Sequence, residues 1–326
     1  MRLPVFEASR PLPWRPAPSR PAPTRRGCDQ NVAVQITKLS GADGFILVDF
    51  EDAPHAGGIV RLAKKVLVDG AVNLARHLTY GYAVMQVEAS GASAGINTEP
   101  DGRAVALGAF VEEARRSSVC FDPGKGVSVD DLAPVSEHDS RSPLHLGLAE
   151  HLRGTSMCSA LGAVRGTSGL RVCTEVDLPP AVVARFVAAG LEVDHAGAEG
   201  IGAPCDVLIV GSKPALLDHD SIAGVQASVI VPAAPLAVTA RGLAVAARRG
   251  IVVLPDFVTL AGPLLAHWPD QAATTDSLDR EVAARVDMVI RAAADHPEGA
   301  WLGAAEEAER FMSTWRDELP FGRPIP

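Results

Sequence analysis

Between Gly169 and Val258 the chain alternates short valine- and isoleucine-rich runs with helical or loop segments, and nothing else in the sequence limits the fold as strongly. The runs are GLRVCTEV (169–176), LEVDHAG (191–197), CDVLIVG (205–211), ASVIVPA (227–233) and GIVVLPDFV (250–258), with PPAVVARFVAAG (179–190) reading as a helix. Strands that are apolar throughout are buried on both faces, and helical crossovers between them impose a parallel sheet. This stretch is predicted to be a Rossmann-like lobe.

The first half reads differently. NVAVQITKL (31–39) and GFILVDFED (44–52) are strand-like, joined by a turn at Ala42–Gly44. A long helix is predicted over residues 60–83, where Leu67, Ala71, Leu74, Ala75 and Leu78 recur at helical spacing. A strand at Ala83–Ala89, a glycine-rich turn at Ser90–Gly95 and an amphipathic helix at Arg103–Arg116 complete the expected first lobe. The fold class is therefore α/β with two domains: an arm over 1–29, a first lobe over 30–150, a Rossmann-like lobe over 151–275, and C-terminal helices over 276–326 that pack back on the lobes.

Composition removes several functions. Hydrophobic residues make up 47% of the 326, enough for sizeable cores, and a net charge of −9 offers no footprint for a nucleic-acid backbone. The longest uncharged run, Ser221–Ala240, carries Gln226, Pro232 and Pro235, so no membrane span is expected. Cys28, Cys120, Cys158, Cys173 and Cys205 form no C-x-x-C pair, which fits buried thiols in a reducing cytoplasm and no metal site. Residues 1–27 hold seven prolines and six arginines and are expected to be disordered. Abundant alanine, arginine and valine point to a bacterial source.

The order of motifs from Gln30 to Glu318 resembles the glutamate/leucine/phenylalanine/valine dehydrogenase family. It includes Gly57–Gly58 with Arg61 one residue late, a helix ending LTYGYA, the segment SGASAGI, then CDVLI and GIVVLPD, followed by Ala261–Gly262. The resemblance implies hydride transfer between an amino acid and a nicotinamide cofactor. That chemistry needs a cation for the substrate carboxylate, a lysine to activate water, an acid, and a backbone cradle for pyrophosphate.

At those positions this chain departs from the family pattern. The carboxylate-binding lysine corresponds to Gly81 and the catalytic lysine, twelve residues on, to Ser93; the acid corresponds to Val135 in Ala133–Ser136, with Asp130, Asp131 and Glu137 as displaced substitutes. The phosphate-binding glycines correspond to Val176, Leu178 and Ala181, beside Asp177, Pro179 and Pro180, and Asp177 reads as the helix cap. Pro235 and Leu260 stand where the family has asparagines.

The expectation is thus a degenerate relative with neither catalytic residues nor a bound cofactor, acting as a ligand-binding or partner protein. Arg61, Tyr80 and Ser93 are expected to line any remaining cleft as hydrogen-bonding groups, around an amino-acid-like molecule. The alternative is an active oxidoreductase using NAD or NADP through substituted residues, with Lys125 and Asp131 as its candidates. His138, His145 and His151 match no ligand spacing, and Ser156 and Ser159 lack a hydrolase setting. The resemblance also implies an oligomer, either of identical subunits or with a related chain.

Overall fold

The computed structural model describes residues 34–320 and 322–325, so the predicted arm lies outside the described residues. The first sheet contains β1 (Gln35–Lys38), β2 (Gly44–Val48), β3 (His55–Ala63), β4 (Ala89–Asn97) and β5 (Val119–Pro123), in the order β1-β2-β4-β3-β5. Only β2 runs against its neighbours; β3 is parallel to both β4 and β5. Helix α1 (Val68–Val84) lies on one face and α2 (Arg103–Arg116) on the other.

Two local expectations fail here. The start of the expected helix, residues 60–63, belongs to β3, and α1 continues through the segment expected to begin a strand. The supposed glycine-rich turn is the middle of β4, paired with β2 on one side and β3 on the other. Its glycines serve close approach: a Cβ on Gly91 would stand 1.9 Å from the Ala75 carbonyl oxygen of α1.

After α3 (Val129–Leu132), α4 (Leu144–Arg165) leads into the second sheet. This holds β6 (Arg171–Thr174), β7 (Glu192–His195), β8 (Val207–Val210), β9 (Val229–Pro232) and β10 (Val252–Val253), all parallel, in the order β10-β9-β8-β6-β7. Counted within the lobe, that is the doubly wound order 2-1-3-4-5, which reverses between β6 and β8. Around it lie α5 (Pro180–Ala188), α6 (Ala240–Arg248), α7 (Asp256–Thr259), α8 (Gly262–Leu265), α9 (Thr275–Ala293) and α10 (Ala300–Met312). Asp177 does not cap α5. The cap is Pro179 with no side-chain bond, and Asp177 is exposed and pairs with His195.

The C-terminal segment fastens the first lobe. Tyr80 of α1 donates to Glu309 of α10 at 2.8 Å, Arg76 donates to the Gly322 carbonyl at 2.6 Å, and Arg316 pairs with Asp52. Phe50 meets Trp315 edge to face. One hydrophobic cluster consequently runs from Phe50 and Tyr80 through Phe257 to Val286 and Trp301. No described helix is long and apolar enough to cross a membrane.

Candidate functional site

The two positions where the family pattern has lysines are both closed in. Gly81 faces the second lobe, and a Cβ there would stand 2.7 Å from Leu264 Cδ1 and 3.4 Å from the Phe257 carbonyl oxygen. A side chain there would have to displace the Leu264 tip. Ser93 of β4 pairs with Leu47 and Ile59, is fully buried, and its hydroxyl has no hydrogen-bond partner among the described residues.

Aromatic and charged side chains pack beside these positions. Tyr82, fully buried, shares a 2.8 Å hydrogen bond with His267 Nδ1, and a Cβ on Gly57 would come 2.2 Å from its hydroxyl. Trp268 lies against Tyr82 and stacks on His55 with 4.6 Å between ring centres. Arg141 is held by Asp139 at 2.7 Å, by Asp122 at 2.8 Å and by the Phe121 carbonyl. Burial raises the Tyr82 phenol well above its ordinary pKa and pushes His267 well below its own, so both are neutral near pH 7. The arrangement resembles a packed core more than an open cleft.

The neutral histidines give a pH dependence. Burial lowers the pKa of His55, His77 and His267, and for His77 it outweighs the pull of Asp256, whose carboxylate lies 3.5 Å away. The unfolded chain therefore takes up protons first as the pH falls through about 6.5. Stability is expected to drop between pH 7 and pH 5, before Asp139, held down to about 2 beside Arg141, is affected. Thermal melts that stay level across that interval would show these rings to be charged in the folded protein.

The remaining predicted residues do not converge. Tyr80 is no cleft residue: its ring packs on Phe257 and its hydroxyl is spent on Glu309. Val135 lies in a 3₁₀ turn and packs into the core beneath α2. Asp131 closes a capping box with Ser128 and pairs with Arg103, while Lys125 is exposed. Arg61 lies on β3, half-buried. His151 pairs with Asp279, His145 contacts the Ser142 carbonyl, and Ser156 donates to the Thr259 carbonyl. Among the described residues, the side chains close enough to share a metal ion are Asp218, His219 and Asp220, in a surface turn bonded to Ser221.

The fold places a dinucleotide where strand order reverses, outside the ends of β6 and β8. That crevice holds a carboxylate of the protein itself. Buried Glu175 accepts hydrogen bonds from the backbone N–H of Gly211 at 3.1 Å and of Ser212 at 3.2 Å. Pro179 and Pro180 supply no N–H at the start of α5, and Val176, Leu178 and Ala181 give no glycine for close approach. The loops behind β8 and β9 also crowd together, since a Cβ on Gly211 would meet Ala234 N at 2.9 Å; Pro235 follows directly. These residues do not fit a nicotinamide dinucleotide.

An open cavity of about 550 Å³ lies elsewhere between the lobes, lined by His55, Gln86 and Glu88 from the first and Trp268, Glu281 and Arg285 from the second. Its aromatic floor is the His55–Trp268 stack. Sequence reasoning missed this cavity, the Tyr82–His267 contact, Arg141 and Glu175. Glu175 left one signal, a lone acid closing an apolar strand where the family resemblance leads to glycine.

No family model and no curated sequence matches the chain. Solved structures do. L-tryptophan dehydrogenase from Nostoc punctiforme aligns with a TM-score of 0.68 at 16% identity, covering 87% of this chain and 96% of that one. The hetero-hexameric glutamate dehydrogenase from Thermus thermophilus, in a leucine-bound form, gives 0.70 at 19% identity over 90% and 91%. Glutamate dehydrogenase from Plasmodium falciparum gives 0.67 at 11% over 88% and 84%. The chain therefore has the two-lobed fold of the amino acid dehydrogenases and resembles them over nearly its whole described length.

Proposed function

We propose that this chain is a non-redox relative of the amino acid dehydrogenases, a two-lobed frame that works as a binding protein for an amino-acid-like small molecule. The observation that carries the reading is Glu175, whose buried carboxylate, bonded to the Gly211 and Ser212 amides, occupies the crevice where the strand order reverses. A pyrophosphate entering there would meet a fixed negative charge and already bonded donors. The packing of Leu264 against Gly81 and of Tyr82 against Gly57 supports the same conclusion for the substrate side. The cavity beside Trp268 is the space on offer for a small ligand. Assembly with identical or related subunits in the cytoplasm is consistent with this role.

The rival oxidoreductase needs Asp131 and Lys125 as substitutes, and Asp131 is fastened to Ser128 and Arg103. The test is a titration with NAD and NADP followed by tryptophan fluorescence, with Trp268 and Trp315 as reporters. No saturable change is expected. Micromolar binding, or reduction of either cofactor that depends on an added amino acid, would overturn the reading.

A further inference from the structure

Three arginines of the first lobe carry guanidinium nitrogens shielded from solvent, and two of them are paired with carboxylates. Arg76 is gripped by Asp49 and Arg141 by Asp122 and Asp139, at 2.7 to 2.8 Å in each case. Arg61 is the exception. Its Nε and Nη2 are shielded from solvent, yet neither has a hydrogen-bond partner among the described residues. Burial lowers its pKa, and no carboxylate counters that effect.

The surroundings explain why no counter-charge arrives. Arg61 pairs with Gly95 across β3 and β4, and the space beside Gly95 is filled by Phe45 and Val66. On the other side lies Gly124, whose Cβ would stand 3.0 Å from Arg61 Cγ. Ser93, with its own buried and unpartnered hydroxyl, pairs with Ile59, which puts it one step along the same sheet face. Lys125 follows Gly124 and lies opposite Leu62, whose N–H its carbonyl accepts, so it stands exposed on the other face of the sheet. The site thus offers guanidinium donors and, among the described residues, no anion to pair with them. An unpaired, partly desolvated guanidinium is costly to hold, and a bound carboxylate or phosphate satisfies it bidentately.

We propose that Arg61 is a binding site for a small oxyanion, a carboxylate or phosphate group presented from solvent. Nη1 is the nitrogen not enclosed, and a turn of the guanidinium brings Nη2 to the same anion. This deepens the binding-protein reading by naming the charge of the ligand, and it is independent of the dinucleotide argument.

The experiment uses the full chain and compares sodium phosphate, sodium acetate and sodium chloride at matched ionic strength, by thermal shift and calorimetric titration. Phosphate, acetate or both should raise the melting temperature above the chloride control. Arg61→Met should weaken that binding by roughly tenfold or more, whereas Lys125→Ala, on the other face of the sheet, should leave it nearly unchanged. In chloride alone Arg61→Met should melt no lower than the parent, because it removes an uncompensated charge. Should that variant fail to fold, Arg61→Lys carries the same test, since it keeps the charge and loses the fork. A response to phosphate alone assigns a phosphate ligand, and a response to acetate alone a carboxylate one. Equal melting in all three salts, or an undiminished shift in the arginine variants, would overturn the site. Cofactor binding that survives Arg61→Met would overturn the non-redox reading and leave this one intact.

Discussion

Replacing Asp49 with alanine is expected to lower the unfolding free energy by about 3–5 kcal/mol. Asp49 is 2% exposed and accepts from Arg76 Nε at 2.8 Å, from Arg76 Nη2 at 2.7 Å and from the Thr79 hydroxyl at 2.7 Å. Thr79 in turn accepts from the Gly91 N–H at 2.9 Å, so one carboxylate joins the loop after β2, helix α1 and strand β4. Without it the Arg76 guanidinium loses this buried carboxylate, and the Thr79 hydroxyl keeps only the Ala75 carbonyl at 3.2 Å as its acceptor. Urea denaturation followed by circular dichroism measures the loss directly. A cost below about 1 kcal/mol, the range of exposed pairs, would mean that water reaches this network.

Asp256→Ala is expected to cost about 2–4 kcal/mol for a related reason. The carboxylate accepts from the Leu236 N–H at 2.6 Å and from Trp301 Nε1 at 3.3 Å, joining the loop after β9 to α10. Leu236 has φ 60°, a left-handed conformation that a branched residue adopts only when the surroundings hold it there. Removing the acceptor releases that loop as well as the buried indole. The same denaturation experiment applies, and Asp256→Asn, which keeps an acceptor, should recover part of the loss. Equal stability of the alanine and parent proteins would show that the left-handed turn needs no side-chain support.

Asp256 also shows why sequence reasoning reached the fold and stopped short of the site. It belongs to the LPDFV…AG stretch that carried the family resemblance, and the structure gives those residues architectural tasks. Gly262 lets α8 approach α4, where a Cβ would stand 2.1 Å from the Leu152 carbonyl oxygen. Asp206 accepts from the Arg171 N–H at the start of β6, a bond that helps set the β6–β8 pairing. Such positions are bound to local runs and keep their order along the chain, so the parallel sheet was legible. The β4 segment misled because glycine has two uses. Turn and close approach look identical until the partner helix is known.

The occupants of the cleft were illegible for a different reason. Tyr82 and His267 are 185 residues apart, and neither has a neighbour in sequence that signals the other. Glu175 reaches amides 36 and 37 residues on. Side chains that fill space left by an altered site are chosen by shape in three dimensions, and no periodicity records them. Arg141 is a similar case: Asp122, on β5 beside Gly57 and Gly58, reaches it across 19 residues of sequence.

The bonds from Glu309 and Gly322 back to Tyr80 and Arg76 impose an order on the making of the molecule. A ribosome delivers the first sheet and α1 long before it delivers residues 309–322. Until then the Tyr80 hydroxyl awaits its acceptor, Arg76 awaits a carbonyl, and the apolar flank of α1 awaits α10. The nascent first lobe must therefore wait, incompletely assembled, for these later residues to emerge and seal it.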